Sequence, residues 1–189
     1  MAFLNLAAVR ECTQSEGPGK RFAIWCQGCA ARCTGCCNPH MQDFRKNHIV
    51  ETADLIALIE KSVRLYDIEG VTLLGGEPFL QAAGFAEIAE WCKKNDLSVL
   101  AFTGFLLQEL LAMNDFNINR ILKNCDLLVD GPFLQDQLDS TRDWVGSRNQ
   151  IVHFLSDRYQ KGIEYEKNNH SIEILVSDNK LLGNGWPFF

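Results

Sequence analysis

No stretch of this 189-residue sequence approaches the length of a membrane span, and the opening "MAFLNLAAVRE" lacks a basic leader followed by a long apolar core. The chain therefore reads as cytoplasmic, with no membrane partner. It also lacks a basic run, and its net charge is −6, which argues against a nucleic-acid backbone as its main partner. Internal repeats and low-complexity tracts are absent as well. The composition, 47% hydrophobic and 22% charged, is that of an ordinary globular protein, and residues 1–189 read as a single domain. Thiols stay reduced in the cytoplasm. The eight cysteines are thus poor material for a disulfide framework and point to a metal or a redox reaction.

Five of the eight fall within fourteen residues, "CQGCAARCTGCCNP" at 26–39. Around them the punctuation alternates strand and helix. An N-terminal segment leads to a turn at "EGPGK" and a strand "RFAIW", which the cysteine loop follows at once. "ETADLIALIEKSVRLY" has helical periodicity at Leu55, Ile59 and Val63, with Thr52 as its expected N-cap. "GVTLL" is a buried strand ending in "GGEP", and "AAGFAEIAEWCKKN" is a helix with Phe85, Ile88, Ala89 and Cys92 on one face. "LSVLAF" ends in "TGF"; two helical pieces around "LLQELLAM" and "INRILKN" follow; "DLLVDGPF" is a strand entering a loop. "NQIVHFL" is another strand, and "SIEILVS" with "LLGNGWP" suggests a terminal hairpin.

This alternation implies an α/β fold with a parallel sheet covered by helices. Four or five such units fall short of a full eight-fold barrel of about 250 residues, so a partial, open (β/α) barrel is expected. In such folds the loops after the strand C-termini build the site. The cysteine loop, "GGEP", "TGF" and "DGPF" all occupy that rim.

A four-thiolate zinc site usually takes two short pairs set about 15–20 residues apart. Here Cys26–Cys29 and Cys33–Cys36 are separated by only three residues. A thioredoxin-like pair opens a helix in a differently punctuated fold. Taken as a set, Cys29, Cys33 and Cys36 let one loop wrap three corners of a cubane iron–sulfur cluster, for which thiolates are suitable soft donors. Three ligands leave a fourth iron open for chemistry, as an open position distinguishes catalytic from structural zinc.

"GCAARCTGCCN" resembles the cluster loop of radical S-adenosylmethionine (SAM) enzymes. "GPGKRFAIWCQGC", "LLGGEP", "FTGF", "DLLVDGPF" and "WVGSRNQ" occur in the order shown by one branch of that family, the anaerobic ribonucleotide reductase activating proteins and their small single-cluster relatives. The resemblance implies that Cys29, Cys33 and Cys36 hold a 4Fe–4S cluster whose fourth iron is chelated by SAM. Gly35 and Asn38 then flank SAM or simply shape the turn. Cys37 stands where the family usually carries an aromatic or histidine beside the adenine. Gly75, Gly76, Glu77 and Pro78 would meet the SAM amino group, the glycines by close backbone approach and Glu77 as a negative acceptor. Thr103 and Gly104 would admit the ribose or methionyl part, and Asp130 would orient SAM or a cation. For these last two loops a plain turn is equally open. Arg148 and Asn149 are candidate contacts to SAM or a partner. Cys26 is expected to be a small buried residue.

The activity so implied is reductive cleavage of SAM to a 5′-deoxyadenosyl radical, fed by a low-potential donor such as flavodoxin or ferredoxin. The partner so implied is a glycyl-radical enzyme. Two rivals stand beside it: a radical SAM enzyme acting on a small metabolite or peptide, and an iron–sulfur or zinc protein that makes no use of SAM. The segment after residue 155, including "YQKGIEYEKNNH", is the natural place for a distinction among acceptors.

Overall fold

A computed structural model describes residues 2–166, 171–177 and 180–185. In chain order its elements are β1 (Phe3–Thr13), β2 (Arg21–Cys26), β3 (His48–Glu51), α1 (Thr52–Tyr66), β4 (Gly70–Gly75), α2 (Ala82–Lys94), β5 (Ser98–Phe102), α3 (Leu107–Ala112), α4 (Phe116–Asn124), β6 (Leu127–Asp130), β7 (Ile151–Phe154), β8 (Ile172–Ser177) and β9 (Lys180–Gly185). Seven strands form one open sheet in the order β3-β1-β2-β4-β5-β6-β7, and β8 and β9 pair separately as an antiparallel hairpin. This is the α/β, open partial-barrel architecture expected.

The four central strands, β2, β4, β5 and β6, run parallel. Their apolar runs are covered on both faces, as parallel strands require. Alternation assigns the two faces. Phe22, Ile24, Cys26, Val71, Leu73, Val99, Ala101 and Leu128 join the core shared with the helices, where Leu55, Ile59, Phe85, Ile88, Ala89 and Cys92 pack. Ala23, Trp25, Leu74, Leu100, Leu127 and Val129 line the opposite, inner face.

The flanks depart from the sequence reading. The N-terminal segment is a long strand, β1, antiparallel to β2, and β3 adds a further antiparallel edge; β7 closes the other side antiparallel to β6. Thr52 is not the N-cap of α1: that place falls to Glu51, whose side chain makes no capping bond. The Thr52 hydroxyl instead donates to the Glu87 carboxylate on α2, so a tertiary contact displaces the local cap. The terminal hairpin is present, although Trp186 and Pro187 of its expected second strand lie outside the described residues, as do residues 167–170. No helix among the described residues is long and apolar enough to cross a membrane.

Candidate functional site

Strand β2 delivers the chain to the C-terminal rim at Cys26, and the cysteine loop leaves and returns at one point. Gly28 N–H donates to the Met41 carbonyl at 2.8 Å, and Cys29 N–H to that of Gln42 at 3.0 Å. Beneath this closure lies a polar girdle. Gln27 donates to the carbonyls of His40 (3.3 Å) and Asp43 (2.8 Å). Gln81 donates to those of Asn5 and Gln27, each at 3.0 Å. The loop ends are therefore fixed from β1, β2 and the turn after "GGEP". Gln27 and Gln81 carry no motif, and only the fold reveals their part.

Within the loop, Cys29, Cys33 and Cys36 are half-buried free thiols, and Cys37 is exposed. The neighbouring Cys37 thiol and the Asn38 N–H, 3.4 Å from the Cys36 sulfur, lower the Cys36 pKa to about 6. Burial pushes Cys29 up. Gly35 has φ +73°, and a side chain there would strike Gln135, with the nearest atom at 2.8 Å. Cys26 is fully buried in the helix-side core, which pushes its thiol well up, and Cys92 and Cys125 are buried too.

The donor set suits a thiolate-held cluster: three reduced, partly accessible sulfurs on one loop with fixed ends. Among the described residues, however, no three His, Cys, Asp or Glu side chains converge closely enough to hold a metal ion. The three thiols are close in sequence and spread in space.

The "GGEP" turn locks against this loop. Gly76 N–H donates to the Cys26 carbonyl (2.8 Å) and Glu77 N–H to that of Gly28 (2.9 Å). A Cβ on Gly76 would lie 2.4 Å from the Gly28 carbonyl oxygen, so only glycine permits the approach. Pro78 opens a 3-10 turn, Pro78–Gln81, as an N-terminal proline should. Glu77 is buried, and its carboxylate accepts from the N–H of Phe79 (3.1 Å), the Thr103 hydroxyl (2.9 Å) and Gly104 N–H (2.8 Å). Burial pushes it up to about 7 against the pull of those three donors. The structure thus brings Glu77, Thr103 and Gly104 together and sets them beside the cluster loop.

Asp130 lies at the end of β6 but shares the helix-side face with Leu128. Its carboxylate accepts from Leu107 N–H (2.7 Å) and Ile151 N–H (3.3 Å), and His153 Nε2 lies 2.8 Å away. Protein groups occupy it. Asn149 donates to the Pro132 carbonyl (2.7 Å), and Arg148 to that of Leu138 (3.0 Å). Both shape the long β6–β7 loop, which Arg142 braces through Asp139 (2.7 Å) and the Gln150 carbonyl (2.8 Å). That loop and the cysteine loop enclose an open cavity of about 670 Å³, walled by Ala31, Cys33 and Thr34 on one side and Pro132, Phe133 and Leu134 on the other.

Residues 15–153 match the family described as "4Fe-4S single cluster domain". The chain is similar to the anaerobic ribonucleoside-triphosphate reductase-activating protein of Vibrio cholerae serotype O1, 32% identical over 144 residues that span 73% of this chain and 90% of the relative. The proteins of the same name from Salmonella typhi and Escherichia coli K12 are 34% and 31% identical, each over 74% of this chain and 92% of the relative. Among solved structures, the crystal structure of QueE from Escherichia coli overlaps at TM-score 0.45 and 20% identity, covering 54% of this chain and 52% of that one. The chain belongs to the 4Fe-4S single cluster domain family, alongside the anaerobic ribonucleoside-triphosphate reductase-activating proteins.

Proposed function

We propose that this chain activates an anaerobic ribonucleotide reductase by installing a glycyl radical on it, with a 4Fe–4S cluster held by Cys29, Cys33 and Cys36 and with SAM at the same rim. The observation that carries the reading is the meeting of the three-thiol loop with "GGEP" and "TGF" on one strand edge, in a chain that spans nine-tenths of relatives bearing that name. When bound, cluster and SAM together supply one-electron cleavage of the SAM C5′–S bond, giving methionine and a 5′-deoxyadenosyl radical.

The chain's own residues do the rest. Three thiolates serve as ligands, and the Asn38 N–H and the neighbouring Cys37 thiol favour the ionised form of Cys36. The glycines at 75 and 76 bring the backbone close to the cluster loop. The open cavity beside Cys33, walled largely by apolar groups, leaves room for a polypeptide segment of the reductase. A low-potential donor, flavodoxin or ferredoxin, would supply the electron, in the reducing cytoplasm that so many free thiols suit.

The test mixes the reduced, reconstituted protein and SAM anaerobically with the anaerobic reductase of the same cell. A doublet-split organic radical should appear on the reductase by electron paramagnetic resonance. A silent reductase, with 5′-deoxyadenosine still forming in the presence of a metabolite or peptide, overturns the activating role.

A further inference from the structure

We infer that Glu77 and Thr103 are a positioning pair that fixes the "GGEP" and "TGF" turns to one another beside the cluster loop and that neither side chain touches SAM. The inference rests on the proposed use of SAM at this rim. Its warrant is the engagement of both buried side chains by protein partners. The Glu77 carboxylate is 3% exposed and already receives three hydrogen bonds. A carboxylate offers about four acceptor sites, and a buried one has no open side for a further partner. The Thr103 hydroxyl carries a single proton, which it gives to Glu77, and one of its lone pairs accepts from Phe105 N–H at 3.1 Å. It has no donor left for a ribose or a methionyl group.

The connections run outward from that pair. Through its own N–H, Glu77 reaches Gly28 in the loop after β2. Through its carboxylate it reaches Thr103 and Gly104 in the loop after β5. Gly104 in turn packs against the cluster loop, where an added Cβ would lie 3.3 Å from that of Ala31. Thr103 N–H donates to the Val129 carbonyl (3.0 Å), and Gly131 N–H to that of Phe105 (2.9 Å), which ties in the loop after β6. The buried carboxylate thus ties the two glycine-bearing turns together, and the Glu77 backbone N–H ties that pair to the cluster loop. Contact with SAM falls instead to the backbone of Gly75, Gly76 and Gly104, all of them partly exposed.

A double-mutant cycle on the reconstituted protein tests this: Glu77→Gln, Thr103→Val, the double variant, and Thr103→Ser as the conservative control. The readouts are SAM affinity by anaerobic calorimetry, iron content, and hydrogen exchange at the Gly104 and Phe105 amides. Loss of a charge-assisted hydrogen bond should weaken SAM binding about tenfold in each single variant. The double variant should be no worse than the weaker single, because the two side chains act as one unit. Iron should stay bound, both amides should exchange faster in all three, and Thr103→Ser should restore the parent values. Additive losses of about a hundredfold with unchanged amide exchange would mean that each side chain meets SAM directly and overturn the inference. Parent-like affinity in Thr103→Val overturns it as well. A parent that holds its cluster but binds no SAM overturns the proposed function itself, and the slow amide exchange would then report only a structural clamp.

Discussion

The central parallel strands are closed at their two ends by buried ionisable groups of opposite kind, a guanidinium and a carboxyl. At the foot, Arg21 of β2 is completely buried. Its guanidinium donates to the carbonyls of Pro18 (3.1 Å), Val71 (2.8 Å) and Ser98 (3.3 Å) and to the hydroxyls of Thr72 (2.7 Å), Ser98 (2.8 Å) and Tyr159 (3.4 Å). All of these are neutral acceptors, and burial lowers its pKa. At the rim, the buried Glu77 carboxyl group receives backbone and hydroxyl donors. The foot is dense and side-chain filled; the rim is glycine-bearing and open beside Cys33. A charge satisfied on all sides by strand ends serves cohesion. A carboxyl group satisfied by two loop turns serves the placement of whatever those turns hold. The foot also recruits Tyr159, which lies beyond the family match ending at residue 153.

The largest expected effect is at the rim. Replacing Cys29, Cys33 or Cys36 with alanine should each remove the brown chromophore and most of the iron, whereas Cys26→Ala and Cys37→Ala should keep them. Iron retained in one of the first three and lost in Cys26→Ala would reassign the ligands. Next comes the foot. Arg21→Met strips six hydrogen bonds from buried acceptors and should cost about 3 kcal/mol, seen as a lower denaturation midpoint. SAM affinity of the folded fraction should not change. If affinity falls with stability, foot and rim are not separable.

A smaller effect is pH dependent. Burial pushes both Glu77 and Glu16 up to about 7 from an ordinary value of 4.5. Folding therefore favours their neutral forms, and the stability they contribute is present below pH 4.5 and lost as pH climbs through 7. Carboxylates held low, such as Asp139 at about 2, act in the opposite sense only at more acid pH. Melting temperature should accordingly fall between pH 5 and pH 8, and Glu77→Gln should flatten that slope. A slope unchanged in Glu77→Gln and in Glu16→Gln would remove both groups from the account. The smallest effect lies outside foot and rim. Arg120→Ala breaks the partly exposed pair with Glu90 and should cost only about 0.5 kcal/mol, with no change in iron or SAM binding.

Much of the rim was legible because its chemistry is local. Cys29, Cys33 and Cys36 lie within eight residues, and "GGEP" and "TGF" each follow a buried apolar run. The face of α2 was equally legible, since Phe85, Ile88, Ala89 and Cys92 keep helical spacing and are buried. Strand β1 was not, because register shifts between Leu6 and Ala8 and between Arg10 and Thr13 break its alternation. Strand β3 has four residues, two of them exposed, and exists through pairing with β1. For Asp130 the loop signal left ligand contact and plain turn equally open, because it ignores strand parity, which turns the carboxylate toward α3. The Glu77–Thr103 bond spans 26 residues, and nothing local in either turn announces it. Arg21, within "RFAIW", gave no sign that a charged residue would be its strand's largest fully buried side chain.

The central claim is that this rim uses a three-thiolate cluster to break SAM. The direct measurement is 5′-deoxyadenosine released when the anaerobically reconstituted protein is given dithionite and SAM, run in parallel with Cys33→Ala. The account predicts that the parent yields 5′-deoxyadenosine and methionine in equal amounts and that Cys33→Ala yields neither. A parent that is iron-loaded and reduced yet releases no 5′-deoxyadenosine, with or without the reductase present, would contradict it.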